Sequence, residues 1–125
     1  MRRLPALILL ASLAGCSLVG DDYDDYLDEQ ARLVAELDRL VGAAEAETLD
    51  ACRVVSFGGG VTCGPPGYRV YSTTATDAAA LEALADRITR LERDAGRRFD
   101  LAYPCVHIEP PRPALVGGRC VAAAE

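Results

Sequence analysis

No lysine occurs in this chain, and all thirteen basic side chains are arginine. That excludes a P-loop lysine, a Schiff-base lysine and a lysine general base. Asparagine is also missing, so no N-glycosylation acceptor exists. The single histidine, His107, leaves a zinc site short of ligands and would have to carry any Ser-His-Asp arrangement alone. No Gly-x-Ser-x-Gly turn presents a serine. Nineteen Asp and Glu offer many pairs for carboxylate catalysis, yet spacing selects none of them. The net charge is −6 with Arg2 and Arg3 included and −8 without them, and so acidic a surface repels nucleic acid. We therefore expect no catalytic residue, no cofactor, no metal and no nucleic-acid partner.

The longest apolar stretch, residues 4–14, is too short for a membrane span of about 20 residues. It comes after the positive Met1-Arg2-Arg3 and ends in Leu13-Ala14-Gly15-Cys16. Charge, apolar run and small residues before a cysteine all fall at the right distances. The segment resembles the bacterial lipoprotein signal with its lipobox. The resemblance implies transfer of diacylglycerol to the Cys16 sulfur, cleavage after Gly15, and a further acyl chain such as palmitate on the new amino terminus. Two or three chains anchor a protein stably where one does not. Ser17, not Asp, succeeds Cys16, which points to the outer membrane, facing the periplasm or the surface.

The remaining chain divides into a lipidated N-terminus with an acidic spacer (16–25), an amphipathic helix (26–48) and a cysteine-bearing domain (49–125). Tyr26/Leu27, Leu33/Val34, Leu37, Leu40/Val41 and Ala44 recur at spacings of three and four, predicting a helix over about 24–46 that weakens at Gly42. The aspartates at its start suit the positive end of the helix dipole, and their spacing is not that of an EF-hand loop. Residues 52–57 and 68–73 read as strands. Between them residues 58–67, rich in glycine and proline, read as an irregular loop. Asp77 reads as the cap of a second helix reaching about Arg98, with Leu81, Leu84, Ile88, Leu91 and Ala95 on one face. Val106-His107-Ile108 reads as a short edge strand, and residues 114–121 as a hairpin turning at Gly117-Gly118. The fold class is α+β: a small disulfide-stapled domain with an N-terminal amphipathic helix and an antiparallel sheet packed by a second helix.

Without Cys16, four cysteines remain, and in a small exported domain an even number reads as a disulfide framework. In a hairpin of the two strands, Cys52 and Cys63 lie at opposite ends, about 17 Å apart at 3.3 Å per residue. The second helix returns the chain to the loop end, and the last hairpin runs back. That topology pairs Cys63 with Cys105 and Cys52 with Cys120. A redox dithiol would need Cys-x-x-Cys, which is absent. A Cys105–His107 dyad is disfavoured, and His107 reads as a surface or edge residue.

Cys52-Arg53-Val54-Val55-Ser56-Phe57-Gly58, Cys63-Gly64-Pro65-Pro66-Gly67-Tyr68-Arg69-Val70-Tyr71-Ser72, Cys105 and Gly118-Arg119-Cys120 resemble a group of uncharacterised small bacterial lipoproteins and secreted proteins. Their core carries Cys-Gly-Gly-Pro and Tyr-x-x-Tyr-Ser. This chain has Cys-Gly-Pro-Pro instead, and Pro104 before Cys105 where an acidic residue is usual. The group carries no assigned activity, so the resemblance implies a fold and not a reaction. The leading expectation is a lipid-anchored, non-enzymatic envelope module. The alternative is a binder or inhibitor of a secreted protease or lysozyme, with Val61, Thr62, Pro65 and Pro66 as the recognition loop. A small carboxylate-dependent envelope enzyme stands third. Cys16→Ser is expected to release the protein from membranes, since no other anchor is proposed; fractionation checks it, and a variant still wholly in the membrane fraction contradicts the lipobox.

Overall fold

The computed structural model describes residues 18–124. The expected signal, its expected cleavage point and Cys16 lie outside the described residues.

Helix α1 spans Leu18–Val41 and helix α2 spans Ala78–Arg98. Strands β1 (Cys52–Gly58) and β2 (Pro66–Ser72) form one antiparallel hairpin. Strands β3 (Pro113–Val116) and β4 (Arg119–Ala122) form another. The class is α+β, as expected, but the strands make two separate two-stranded sheets instead of one. Neither hairpin would be stable alone in water. The packing around them supplies what they lack.

Helix α1 begins earlier than its apolar pattern suggested and ends earlier too. Its acidic first turns extend back to Leu18, into the stretch expected as spacer. It stops at Val41 because Gly42 takes a left-handed φ of +55°, and Ala44 does the same at +52°. The next segment is then recruited by β4: Cys120 N–H donates to Ala44 O at 2.8 Å and Ala46 N–H to Gly118 O at 2.9 Å. Ala44 and Ala46 are thereby buried beside the Cys52–Cys120 bridge. Thr76, buried, donates from Oγ1 to Leu40 O at 2.5 Å and satisfies one of the orphan carbonyls at the α1 terminus. Helix α2 starts where expected, with Asp77 accepting from the amides of Ala79 and Ala80.

The β1–β2 hairpin buries both faces. Val55, Phe57 and Tyr71 pack with Leu33 and Leu37 of α1 and Leu81, Leu84, Ala85 and Ile88 of α2. The alternate residues Cys52 and Val70 meet Cys120 and Leu115 of the second hairpin on the opposite side. Period-two alternation thus divides one small sheet between two cores. Leu33 and Leu37 share a core with α2, so α1 is integral to the fold and not a separate stalk.

Two disulfides close the structure, Cys52–Cys120 and Cys63–Cys105, the pairing that the hairpin topology favoured. In the chain-entropy account each contributes on the order of 4 kcal/mol.

The glycines after β1 serve packing. A Cβ on Gly60 would lie 2.6 Å from Thr89 O and 2.7 Å from Arg93 N, directly over one hydrogen bond of α2. A Cβ on Gly58 would meet the Glu92 carboxylate at 2.6 Å, and Gly58 N–H donates to Thr89 Oγ1 at 3.0 Å. The loop is therefore a strap laid flat on the helix. Gly60→Ala is expected to cost about 1–3 kcal/mol by overpacking against backbone that cannot move aside. Urea unfolding checks this, with Gly117→Ala as the contrast: no atom lies within 4 Å there, and only its φ of +58° opposes the change.

Candidate functional site

The strap places the loop residues in two classes. Val61, expected on the recognition surface, is 5% exposed. Its side chain lies over Gly96 of α2, where an added Cβ would make only ordinary contact with it at 3.5 Å. Val61 is thus removed from any contact surface, because close approach at Gly60 carries it inward. Thr62 and Pro65 are exposed, while Pro66 is half-buried where it opens β2.

What joins Thr62 and Pro65 at the surface is a segment not expected there. Residues 103–112 form no strand, so Val106-His107-Ile108 is not the expected edge strand. Pro104, Pro110, Pro111 and Pro113 remove amide donors from this stretch, and the bridge ties Cys105 to the loop instead of to a strand edge. Residues 102–110 are all exposed. Tyr103 is 51% exposed, Val106 58% and Ile108 43%, giving three large apolar side chains within six residues. A sequence signal was present in the prolines flanking an apolar pair, since a strand so flanked has little ladder to join.

The segment is held at three points. Tyr103 N–H donates to Thr62 O at 3.1 Å, Cys105 is bonded to Cys63, and Tyr68 Oη donates to Ile108 O at 3.3 Å. Cys63 itself sits at a φ of +59°, a conformation uncommon outside glycine and held here by the bridge and by Gly64 N–H donating to Val61 O at 2.8 Å. A groove of about 460 Å³ runs between Pro65, Tyr68 and the bridge on one side and Val106 and Ile108 on the other.

Beneath Tyr103 lies a smaller cavity of about 310 Å³, lined by Tyr26, Gln30, Val61, Gly64, Pro65 and Glu92 as well. Gln30 Nε2 donates to Glu92 Oε1 at 2.7 Å across it, joining the two helices. Burial, reinforced by the nearby Glu92 carboxylate and the phenols of Tyr103 and Tyr23, pushes the Tyr26 hydroxyl up to about 12. Tyr23 and Phe99 meet edge to face at 5.3 Å, so rings surround this end of α1.

At the other end, a wider cleft of about 680 Å³ is walled by Glu45, Glu47, Thr48, Thr74, Arg119 and the Gly117-Gly118 turn. Both of its carboxylates are exposed, in contact with water. Cys105 is oxidised and cannot serve as a thiolate beside His107, and among the described residues no cluster of His, Cys, Asp and Glu is disposed to hold a metal.

No family model, curated protein or solved structure matches this chain. The chemistry open to the site is therefore read from its own geometry: it presents apolar side chains on a pinned backbone. Nothing in it gathers acids, bases or nucleophiles around one point.

Tyr26 offers a pH test of the buried end. Its raised pKa means that the folded state holds the phenolic proton more tightly than the unfolded chain does. Below pH 10 both states are protonated and the contribution is complete; as pH rises toward about 12 the unfolded chain ionises first and stability falls. Tyr26→Phe is expected to lose less stability than the wild type across that window, measured by urea unfolding at successive pH values. Parallel curves would place the phenol in water.

Proposed function

We propose that the protein is a lipid-anchored, non-enzymatic contact module of the bacterial cell envelope, with residues 103–108 and the adjoining Pro65 as its contact face. The observation that carries this reading is the exposure of Tyr103, Val106 and Ile108 on a segment pinned by the Cys63–Cys105 bridge. A backbone ordered in advance loses little conformational freedom on contact, so a small face can bind usefully. The lipobox at Cys16 supports the envelope location, and the disulfides suit an oxidising compartment. Ser17 supports an outer-membrane position, facing the periplasm or the surface.

One observation favours inhibition of a secreted protease as a second reading. Among the described residues, the hydrogen bond found on the backbone of residues 105–109 is the one that Tyr68 makes to Ile108 O. The remaining amides and carbonyls are free to pair with a substrate cleft, as an extended peptide does. Undiminished hydrolysis on equimolar mixing with secreted serine endopeptidases removes that reading.

The contact face is tested with a photo-crosslinking residue at position 107 in living cells. Adducts to an envelope component, lipid or protein, are expected, and the double change Val106→Ser with Ile108→Ser is expected to reduce them severalfold. Stability is expected to change by less than about 1 kcal/mol, because both side chains are surface groups. A crosslinker at position 107 that forms no adduct overturns the contact face.

A further inference from the structure

We propose that residues 103–108 rest in the headgroup layer of the same bilayer that holds Cys16, so that the partner of the contact face is the lipid surface itself. This rests on the lipid-anchor reading above and names the partner of that site.

Position comes first. Only Ser17 separates Cys16 from Leu18, the first residue of α1. Two residues of chain span at most about 7 Å. Tyr26 lies eight residues further along α1, about 12 Å at 1.5 Å per residue. Tyr26 and Tyr103 line one cavity, and Arg98 at the end of α2 pairs with Asp22 at 2.5 Å. The exposed segment therefore belongs to the end of the molecule nearest the anchor. The Gly117-Gly118 turn lies at the other end, packed on residues 44–46 just beyond the far end of α1.

Chemistry selects the lipid. A tyrosine and two aliphatic side chains are exposed together, and tyrosine favours the membrane–water interface. Three side chains make a face well below the roughly 1,000 Å² expected of a stable protein interface. A short tether removes that deficit, since it raises the effective concentration of the surface to the millimolar range. Charge fixes the kind of lipid. Asp22, Asp24, Asp25 and Asp28 lie at this end, where Arg98 pairs with Asp22 and Arg97 with Asp94, and the segment contains no basic residue except His107. Anionic headgroups gain nothing from such a surface, so the contact is apolar and the lipid zwitterionic.

The chain contains no tryptophan, so Val106→Trp introduces a single reporter. The variant is purified from bacterial membranes and returned to phosphatidylcholine vesicles carrying brominated acyl chains. Quenching of roughly twofold and a blue-shifted emission are expected for a ring about 5–10 Å into the interface. Val116→Trp, exposed on the β3–β4 hairpin, is expected to keep an aqueous spectrum. Because tryptophan itself favours interfaces, the unaltered protein is also followed by amide exchange, which is expected to slow over residues 105–109 on vesicles. An acylated protein whose Val106→Trp ring stays as open to aqueous acrylamide as that of Val116→Trp, with exchange unchanged, overturns the lipid surface and leaves the anchor standing. An intact mass without acyl chains overturns the anchor and this proposal together.

Discussion

Gly60 rests on the backbone of α2 so closely that no side chain fits between them. That contact sets the path of the next residues. With Gly60 on the helix, Val61 is buried over Gly96, and Thr62 and Cys63 emerge beyond it. Cys63 then meets Cys105, and the chain leaving α2 is drawn alongside the loop through Thr62 O and Tyr103 N–H. The exposed segment at residues 103–108 is thus an indirect product of a glycine. A flexible loop would have let the bridge wander; a strap laid on a helix holds it in place.

Small size explains the rest of the plan. A chain of this length cannot build one large core, and burying both faces of one hairpin is a way to use its apolar residues twice. Val55, Phe57 and Tyr71 face the helices while Cys52 and Val70 face the second hairpin. The second core is thin, made of alanines and a bridge, and Cys52–Cys120 does there what larger side chains do in the first. Phe57 shows how tightly the hairpin is drawn together. Its ring occupies the space that a side chain on Gly67 would need, and the Arg69 guanidinium lies 5.1 Å from its centre. Arg69 in turn pairs with Asp38 at 2.7 Å, so the hairpin and α1 are linked at an exposed edge, where such a pair contributes little by itself.

The same economy bears on function. The polar groups of this protein are spent on caps, straps and exposed ion pairs, from Thr76 on the α1 terminus to Gln30 and Glu92 between the helices. Three of its exposed large apolar side chains, Tyr103, Val106 and Ile108, lie together where the second bridge presents them. A pinned apolar segment beside an acidic helix is what the proposed contact face rests on, and its small area is why that proposal relies on a tether.

Much of this architecture is legible in the residues alone. The apolar period of three and four places both helices, aromatic and β-branched runs place β1 and β2, Gly117-Gly118 marks the last turn, and hairpin topology favours the pairing of the four cysteines. These features are local, or depend only on chain direction, and local pattern carries them. The path of residues 44–46 after α1, the second sheet and the burial of Val61 came instead from tertiary contacts. In each case a local preference was set against a distant partner: β4 competed for residues 44–46, the hairpin face divided between two cores, and α2 lay under Gly60. A glycine-rich loop looks the same in sequence whether its missing side chains leave room for a ligand or for a helix. Here the helix fills that room, and the residues left facing outward are those that a bridge, forty-two positions along the chain, holds beside it.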